Sequence, residues 1–178
     1  DDACAASTAY VARGGGLIAT HETSLYDADG QPRENLGLSD LFGARCTGPV
    51  EGPMNNAYLN LPPGGAAQHP LLAGLEQAQR LIHGVYRLPT VALGHETTPL
   101  LTLVPPYPDL PMEQVYPRVE RTDIGEVHVN RYGAGRVVYF PWDIDRTYWE
   151  ILNEDHGLLL RNAAHWVSGE LPVTVEGP

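Results

Sequence analysis

The chain has 178 residues, 43% of them hydrophobic, and a formal net charge of −11. That length and apolar share suit one domain over residues 1–178 with a core of its own, and exclude a disordered chain. An acidic surface of this kind argues against nucleic acid and anionic membrane surfaces as partners. No run of about 18 apolar residues occurs, so no transmembrane helix is expected, and no charged-then-apolar leader, so no signal peptide. All 11 basic residues are Arg, which we read as compositional bias.

In chain order, residues 1–13 read as a helix, with Cys4, Thr8 and Val11 on one face and Gly14 as its C-cap. The run Gly14-Gly15-Gly16-Leu17-Ile18-Ala19-Thr20-His21-Glu22-Thr23-Ser24-Leu25-Tyr26-Asp27 organises the rest. Leu17–Thr20 is a short, mostly apolar segment bounded by glycines and polar residues, the pattern of a buried parallel strand. Ligands of open α/β sheets sit just past the carboxyl ends of such strands, where His21, Glu22 and Asp27 fall. A doubly wound domain ordinarily opens on a strand rather than a helix. We therefore expect preceding β and α elements in a longer polypeptide.

A turn is expected at Asp29–Pro32, and a short helix over Leu36–Phe42, capped near Ser39 and closed by Gly43. Residues 47–55 read as irregular. Ala57–Leu61 reads as a strand broken by Pro62-Pro63-Gly64-Gly65, and Leu71–Leu75 as a helical segment. Leu81–Leu88, Thr90–Gly94 and Pro99–Val104 read as successive strands. Pro105, Pro106, Pro108, Pro111 and Pro117 then forbid regular pairing over Val104–Arg121. We expect a long ordered loop there, wrapping its own domain. Glu126–Tyr132 and Arg136–Pro141 form the clearest strand pair, joined at Tyr132-Gly133-Ala134-Gly135 as a hairpin. Val137–Phe140 is apolar on both faces, as in an interior strand. Helices are expected over Thr147–Leu152 and His156–Ser168, the second capped by Asp155, with Pro172–Glu176 a final strand or tail.

The chemistry-bearing residues form no complete catalytic pattern. A strand-to-helix turn with a nucleophilic Ser or Cys is absent: no Gly-x-Ser-x-Gly occurs, and the turn holds Thr20-His21-Glu22-Thr23. Glu22, Asp27, Asp143 and Asp145 could converge at one sheet edge. Paired carboxylates serve glycoside hydrolysis, but a structural role for Asp143 or Asp145 beside Arg146 or Arg136 is the expectation. His21, His69, His83, His95, His128, His156 and His165 are scattered and make no metal-ligand pair, so no metal and no cofactor is expected. Cys4 and Cys46 are too few for a disulfide framework or a zinc site. We read them as two thiols acting as small hydrophobes, with one bridge between them as the alternative.

Two stretches carry a family resemblance: Tyr10–Asp27, and Arg131–Asp145 followed by Leu160-Arg161-Asn162-Ala163-Ala164-His165-Trp166. With the Pro-rich loop at Tyr107–Pro117, they resemble the β-galactosidase trimerisation-type domain and its relatives among glycoside hydrolases. The resemblance implies an α/β, flavodoxin-like fold, a three-layer sandwich of the class I glutamine amidotransferase-like type, incomplete at its N-terminus. It also implies a non-catalytic domain that follows a catalytic (β/α)8 barrel and contributes to homo-oligomer contacts. Amidotransferase relatives carry a nucleophilic Cys at the elbow where this chain has Thr20-His21-Glu22, so no catalytic residue is carried over. The expectation is an accessory domain of a carbohydrate-active enzyme. His21, Glu22, Trp142 and Asp143 would line a carbohydrate cleft, with Asp27 and Asp145 beside them. The alternatives are an independent amidotransferase-like or ThuA-like hydrolase, or a sugar-binding module.

Overall fold

The computed structural model describes residues 2–63, 69–94, 99–108 and 111–169. In chain order its elements are α1 (Asp2–Ala12), β1 (Gly16–Thr20), α2 (Ser39–Phe42), β2 (Ala44–Cys46), β3 (Tyr58–Asn60), β4 (Arg80–Ile82), β5 (Thr90–Ala92), β6 (Thr102–Val104), β7 (His128–Tyr132), β8 (Gly135–Phe140), α3 (Ile144–Ile151) and α4 (Glu154–Ser168). Single 3-10 turns lie at Pro70–Leu72 and Met112–Gln114.

The expected hairpin is present, with β7 antiparallel to β8 and Tyr132 opposite Gly135. β1 runs parallel to β8 on its other side, Leu17 opposite Val137 and Thr20 opposite Phe140. β8 is thus the interior strand of the order β1-β8-β7. Because side chains alternate along a strand, β8 feeds two cores. Val138 and Phe140 pack with Leu159 and Ala163 of α4. Val137 and Tyr139 pack with Val11 of α1 and with Leu41 and Phe42 of α2. The Phe42 and Tyr139 rings stack at 4.3 Å between centroids. Helices therefore cover both faces of the sheet, which makes this part of the fold α/β and three-layered.

The hairpin turn is tied to the end of α1: Ala134 N–H donates to Ala12 O at 3.1 Å. A Cβ on Gly135 would collide with the Val11 and Gly15 carbonyl oxygens, so only glycine allows this approach.

β1 itself differs from expectation. Among the described residues it lies at the edge of the sheet, and Leu17 and Ile18 are only half-buried, whereas their partners Val137 and Val138 are wholly enclosed. Arg136 N–H donates to Gly15 O, and His21 N–H to Phe140 O. The odd-numbered residues therefore face β8, and Gly16, Ile18 and Thr20 turn their backbone groups outward. Beside this edge runs α1, whose sequence is apolar almost all round yet buries only Val11. Apolarity on every side is the pattern of a helix enclosed by neighbours.

The strands expected over Leu81–Val104 are three-residue pieces in separate small sheets: β2 with β5, and the antiparallel order β4-β3-β6. The segment after β4 carries only isolated bridges, Glu51 to Arg87 and Arg87 to Trp142. The Pro-rich loop wraps its own domain. Asn60 Nδ2 donates to Glu120 O at 2.9 Å and Asn56 Nδ2 to Tyr107 O at 3.1 Å.

Several local expectations need correction. α2 is one turn, preceded by Leu38 with no side-chain cap, although Gly43 closes it in the left-handed conformation. α3 starts at Ile144, ahead of Thr147, and α4 at Glu154. The cap of α4 is Asn153, whose side chain accepts from Asp155 N–H at 2.8 Å. The Leu71 segment is a 3-10 turn capped by His69. Cys4 and Cys46 are both free thiols. His95, Gly64-Gly65 and the tail at Pro172–Glu176 lie outside the described residues.

Candidate functional site

At the carboxyl end of β1 the chain turns sharply. His21 sits in the left-handed region with φ of 46°, and Ser24 with φ of 68°. A non-glycine residue held there stores of order 1 kcal/mol or more, and such strain concentrates at ligand-binding corners. Two bonds hold His21: its N–H donates to Phe140 O at 2.7 Å, and its carbonyl accepts from Tyr139 Oη at 2.6 Å. The imidazole Nδ1 is 3.7 Å from Glu22 Oε2, with the two side chains 20% and 33% exposed. Glu22 Oε1 accepts from Tyr26 Oη at 2.8 Å. Glu22 and Tyr26 border a cleft of about 670 Å³ that also includes Arg33, Cys46 and Leu88.

Asp27 is engaged in folding its own loop. Its Oδ1 accepts from Asp29 N–H at 3.0 Å and Gln31 N–H at 2.8 Å. The Thr23 and Ser24 hydroxyls are engaged too. Thr23 Oγ1 donates to Thr20 O at 2.6 Å, and Ser24 Oγ accepts from Leu38 N–H at 3.1 Å. Among the described residues no corner hydroxyl or thiol is bonded to an imidazole, the pairing that commonly activates a nucleophile.

The residues after β8 go elsewhere. Trp142 is fully enclosed, its Nε1–H donating to Glu126 O at 3.1 Å and its ring edge-on to His156. Asp143 is buried, and its Oδ1 accepts from Tyr86 N–H at 3.0 Å and Thr147 Oγ1 at 3.3 Å. Asp145 stands exposed in the first turn of α3. The six candidate residues thus divide into a half-exposed His21–Glu22 pair, two exposed carboxylates, and a buried Trp142–Asp143 pair. No hydrogen bond or ion pair among the described residues joins the β1 corner to Asp143 or Asp145. The anticipated arginine partners are used differently: Arg146 pairs with Glu150 at 2.8 Å, and Arg136 donates to Trp166 O at 2.8 Å.

Sequence reasoning missed two buried polar groups. In the first, Arg87 Nη2 lies 2.7 Å from Glu126 Oε1, His83 Nε2 lies 3.3 Å from Glu126 Oε2, and Arg87 Nη1 reaches Glu51 Oε2. In the second, Thr90 Oγ1 and His128 Nε2 are 2.8 Å apart at the wall of an apolar cleft of about 630 Å³. Burial pushes the His128 pKa down to about 4, so its ring is neutral at physiological pH. Glu126, the nearby carboxylate that could orient that ring, is tied to Arg87 and His83 instead. A signal was present: Glu126 and His128 alternate with Val127 and Val129, so two titratable residues share one face of the segment. Among the described residues no group of three His, Cys, Asp or Glu is placed to hold a metal, and no helix is long and apolar enough to cross a membrane.

No protein-family model matches the chain, and no curated protein matches it by sequence. Solved structures do match it in fold. A β-galactosidase from Rahnella sp. R3 overlays with a TM-score of 0.58 at 17% identity, over 90% of this chain and 20% of that one. A GH42 β-galactosidase from G. stearothermophilus gives 0.55 at 15% identity, over 86% of this chain and 19% of that one. A cytoplasmic protein from Salmonella typhimurium LT2 gives 0.62 at 13% identity, over 94% and 61%. At such identities the likeness is one of fold. The chain spans about a fifth of the length of the β-galactosidases that it matches.

Proposed function

We propose that this chain is a non-catalytic accessory domain of a carbohydrate-active enzyme of the β-galactosidase kind, one that follows a (β/α)8 barrel and helps to assemble copies of the parent protein. The observation that carries the reading is the overlay of 90% of this chain on only 20% of a β-galactosidase chain. A segment of that size has the scale of one domain in a larger enzyme. The finer fold assignment, a flavodoxin-like sheet, belongs to the same proposal. Its support is the three-layer arrangement around β8 and the outward-facing edge of β1. A further parallel strand from the parent polypeptide, entering through α1 by the usual right-handed crossover, would pair with that edge.

Two features support a role in assembly rather than reaction. At the β1 corner the Thr23 and Ser24 hydroxyls are bonded to backbone groups and Tyr26 Oη to Glu22, so no hydroxyl among these three is paired with His21. α3 displays Trp149 and Leu152 at 81% and 68% exposure, and apolar side chains so exposed mark contact surfaces when they cluster. The occupant we propose for α3 is a second copy of the parent protein.

The test is turnover of a nitrophenyl β-galactoside by the isolated chain and by its parent polypeptide. The parent is expected to hydrolyse it and the isolated 178 residues to be inert. Hydrolysis by the isolated chain, abolished by a change at His21 or Glu22, would overturn the reading in favour of an independent hydrolase.

A further inference from the structure

Among the described residues β7 is the other outer strand of the order β1-β8-β7. Backbone groups point to alternate sides along a strand. Arg136 N–H bonds Gly15 O on the β1 side, so Gly135, Val137 and Tyr139 bond β7. Their partners there are Tyr132, Asn130 and His128. Val129 and Arg131 are left with their N–H and C=O groups turned away from the sheet. No hydrogen bond among the described residues reaches those outward groups.

This edge is the floor of a groove. At one end lies the apolar cleft of about 630 Å³, whose walls include Val91, Leu100, Ile124 and Val127. At the other end a cleft of about 520 Å³ separates the edge from His69, Pro70 and Trp166. Val129 and Asn130 border both clefts, so the two adjoin along β7. From Val127 to Arg131 the groove floor runs roughly 15 Å, the reach of a short strand. Protein sheets guard such an edge with Lys, Pro, a bulge or a covering element. β7 contains no Lys and no Pro, its register with β8 has no bulge, and Val91 and Ile124 stand exposed on the rim. The remaining device is a cover.

The edge also states what the cover carries. Val129 and Arg131 share one face, and Arg131 lies directly opposite Arg136 on β8. Arg131 forms no ion pair within the described residues. A second cation beside this pair is repelled and a carboxylate is attracted. We propose that the β7 edge is covered by an extended segment of the parent polypeptide, outside these 178 residues, which adds as an antiparallel strand with an apolar side chain opposite Val129 and a carboxylate opposite Arg131. This rests on the accessory-domain reading, in which the chain is one domain of a longer polypeptide; it spans about a fifth of the β-galactosidases that it matches. A tethered segment meets the edge at an effective concentration of order millimolar. Pairing along one short strand suffices at that concentration, which favours a tethered segment over a separate protein.

Amide hydrogen exchange, resolved to single residues by electron-transfer fragmentation, tests the cover. In the isolated chain Val129 and Arg131 are expected to exchange faster than Asn130, whose N–H is bonded to β8. In the parent polypeptide both should slow by about tenfold or more, equally at every protein concentration. Equal rates at the three positions in the isolated chain, or no slowing in the parent, would overturn the proposal. Slowing that grows with protein concentration would overturn it in favour of a second copy. The chemistry of the cover is tested with the acetylated, amidated peptide Thr-Glu-Thr-Val-Thr-Val-Thr added to the isolated chain. It is expected to slow the same two amides, and its counterpart with Lys in place of Glu to bind about two- to fivefold more weakly. Arg131→Glu should reverse that order, with unaltered circular dichroism showing that the variant folds. Absence of peptide binding, or an order indifferent to Arg131→Glu, would overturn the proposal. Galactoside turnover by the parent does not read this edge, so failure of the β-galactosidase reading is separable from failure here.

Discussion

Arg87 and Glu126 meet inside the protein, Nη2 to Oε1 at 2.7 Å, with the two side chains 5% and 0% exposed. Desolvating two such charges is expensive, and only their mutual attraction with further partners offsets it. Those partners are His83 and Glu51. Removing one member leaves the other charged and alone. Arg87→Met is expected to lower unfolding free energy by about 3–5 kcal/mol, read by urea denaturation. Changing Arg87 and Glu126 together to apolar residues should cost less than the sum of the single changes, because no lone charge remains.

His128 makes stability depend on pH. Its pKa is pushed from the ordinary 6.5 down to about 4 in the folded state, chiefly by burial. Between those values the unfolded chain binds a proton that the folded chain refuses, so the unfolded state gains as pH falls. Its contribution is fully present above about pH 6.5 and is lost progressively toward pH 4, amounting to roughly 3 kcal/mol across that window. His156, its pKa also lowered by burial, acts in the same direction. Chemical denaturation as a function of pH should show this slope, and His128→Gln should flatten it.

The approach of the hairpin to α1 rests on a missing side chain. A Cβ at position 135 would overlap two carbonyl oxygens, and backbone atoms cannot swing aside as a flexible side chain can. Gly135→Ala is expected to destabilise by about 2–4 kcal/mol. Gly30, with open space around its Cβ position, should tolerate the same change with only the penalty of its positive φ, near 1 kcal/mol.

Leu152 ends α3 in the left-handed conformation with φ of 49°, its N–H donating to Tyr148 O, and its side chain is 68% exposed. Glycine would hold that backbone with less strain. Leu152→Gly is expected to stabilise the isolated chain by about 0.5–1 kcal/mol in thermal unfolding, while weakening assembly of the parent protein. That pair of outcomes is expected if Leu152 contacts a second copy, as proposed above.

Much of the central sheet was legible because its signals are local. Glycines at the turn, alternation on one strand and an unbroken apolar run on the next specify β7, β8 and their pairing. The residues around Trp142 were not legible in the same way. Asp143 reads as a carboxylate at a sheet edge, but Pro141–Asp143 passes beneath a segment more than fifty residues earlier in the chain, where Arg87 bridges Trp142 and Tyr86 N–H binds Asp143. That contact buries the indole and the carboxylate, and no local pattern encodes it. The three-residue strands between Ala44 and Val104 have the same origin: their register comes from neighbours distant in sequence, so propensity alone made β3, β4, β5 and β6 too long and did not find β2. At the β1 corner the residue types were readable, whereas the left-handed backbone of His21, held by the Tyr139 hydroxyl, needed the fold.

Light scattering on the parent polypeptide, with and without these 178 residues, bears most directly on the assembly role. The account predicts several copies per particle for the intact protein and a single copy once the segment is deleted, with the remaining barrel still folded. An unchanged particle mass after deletion would contradict it.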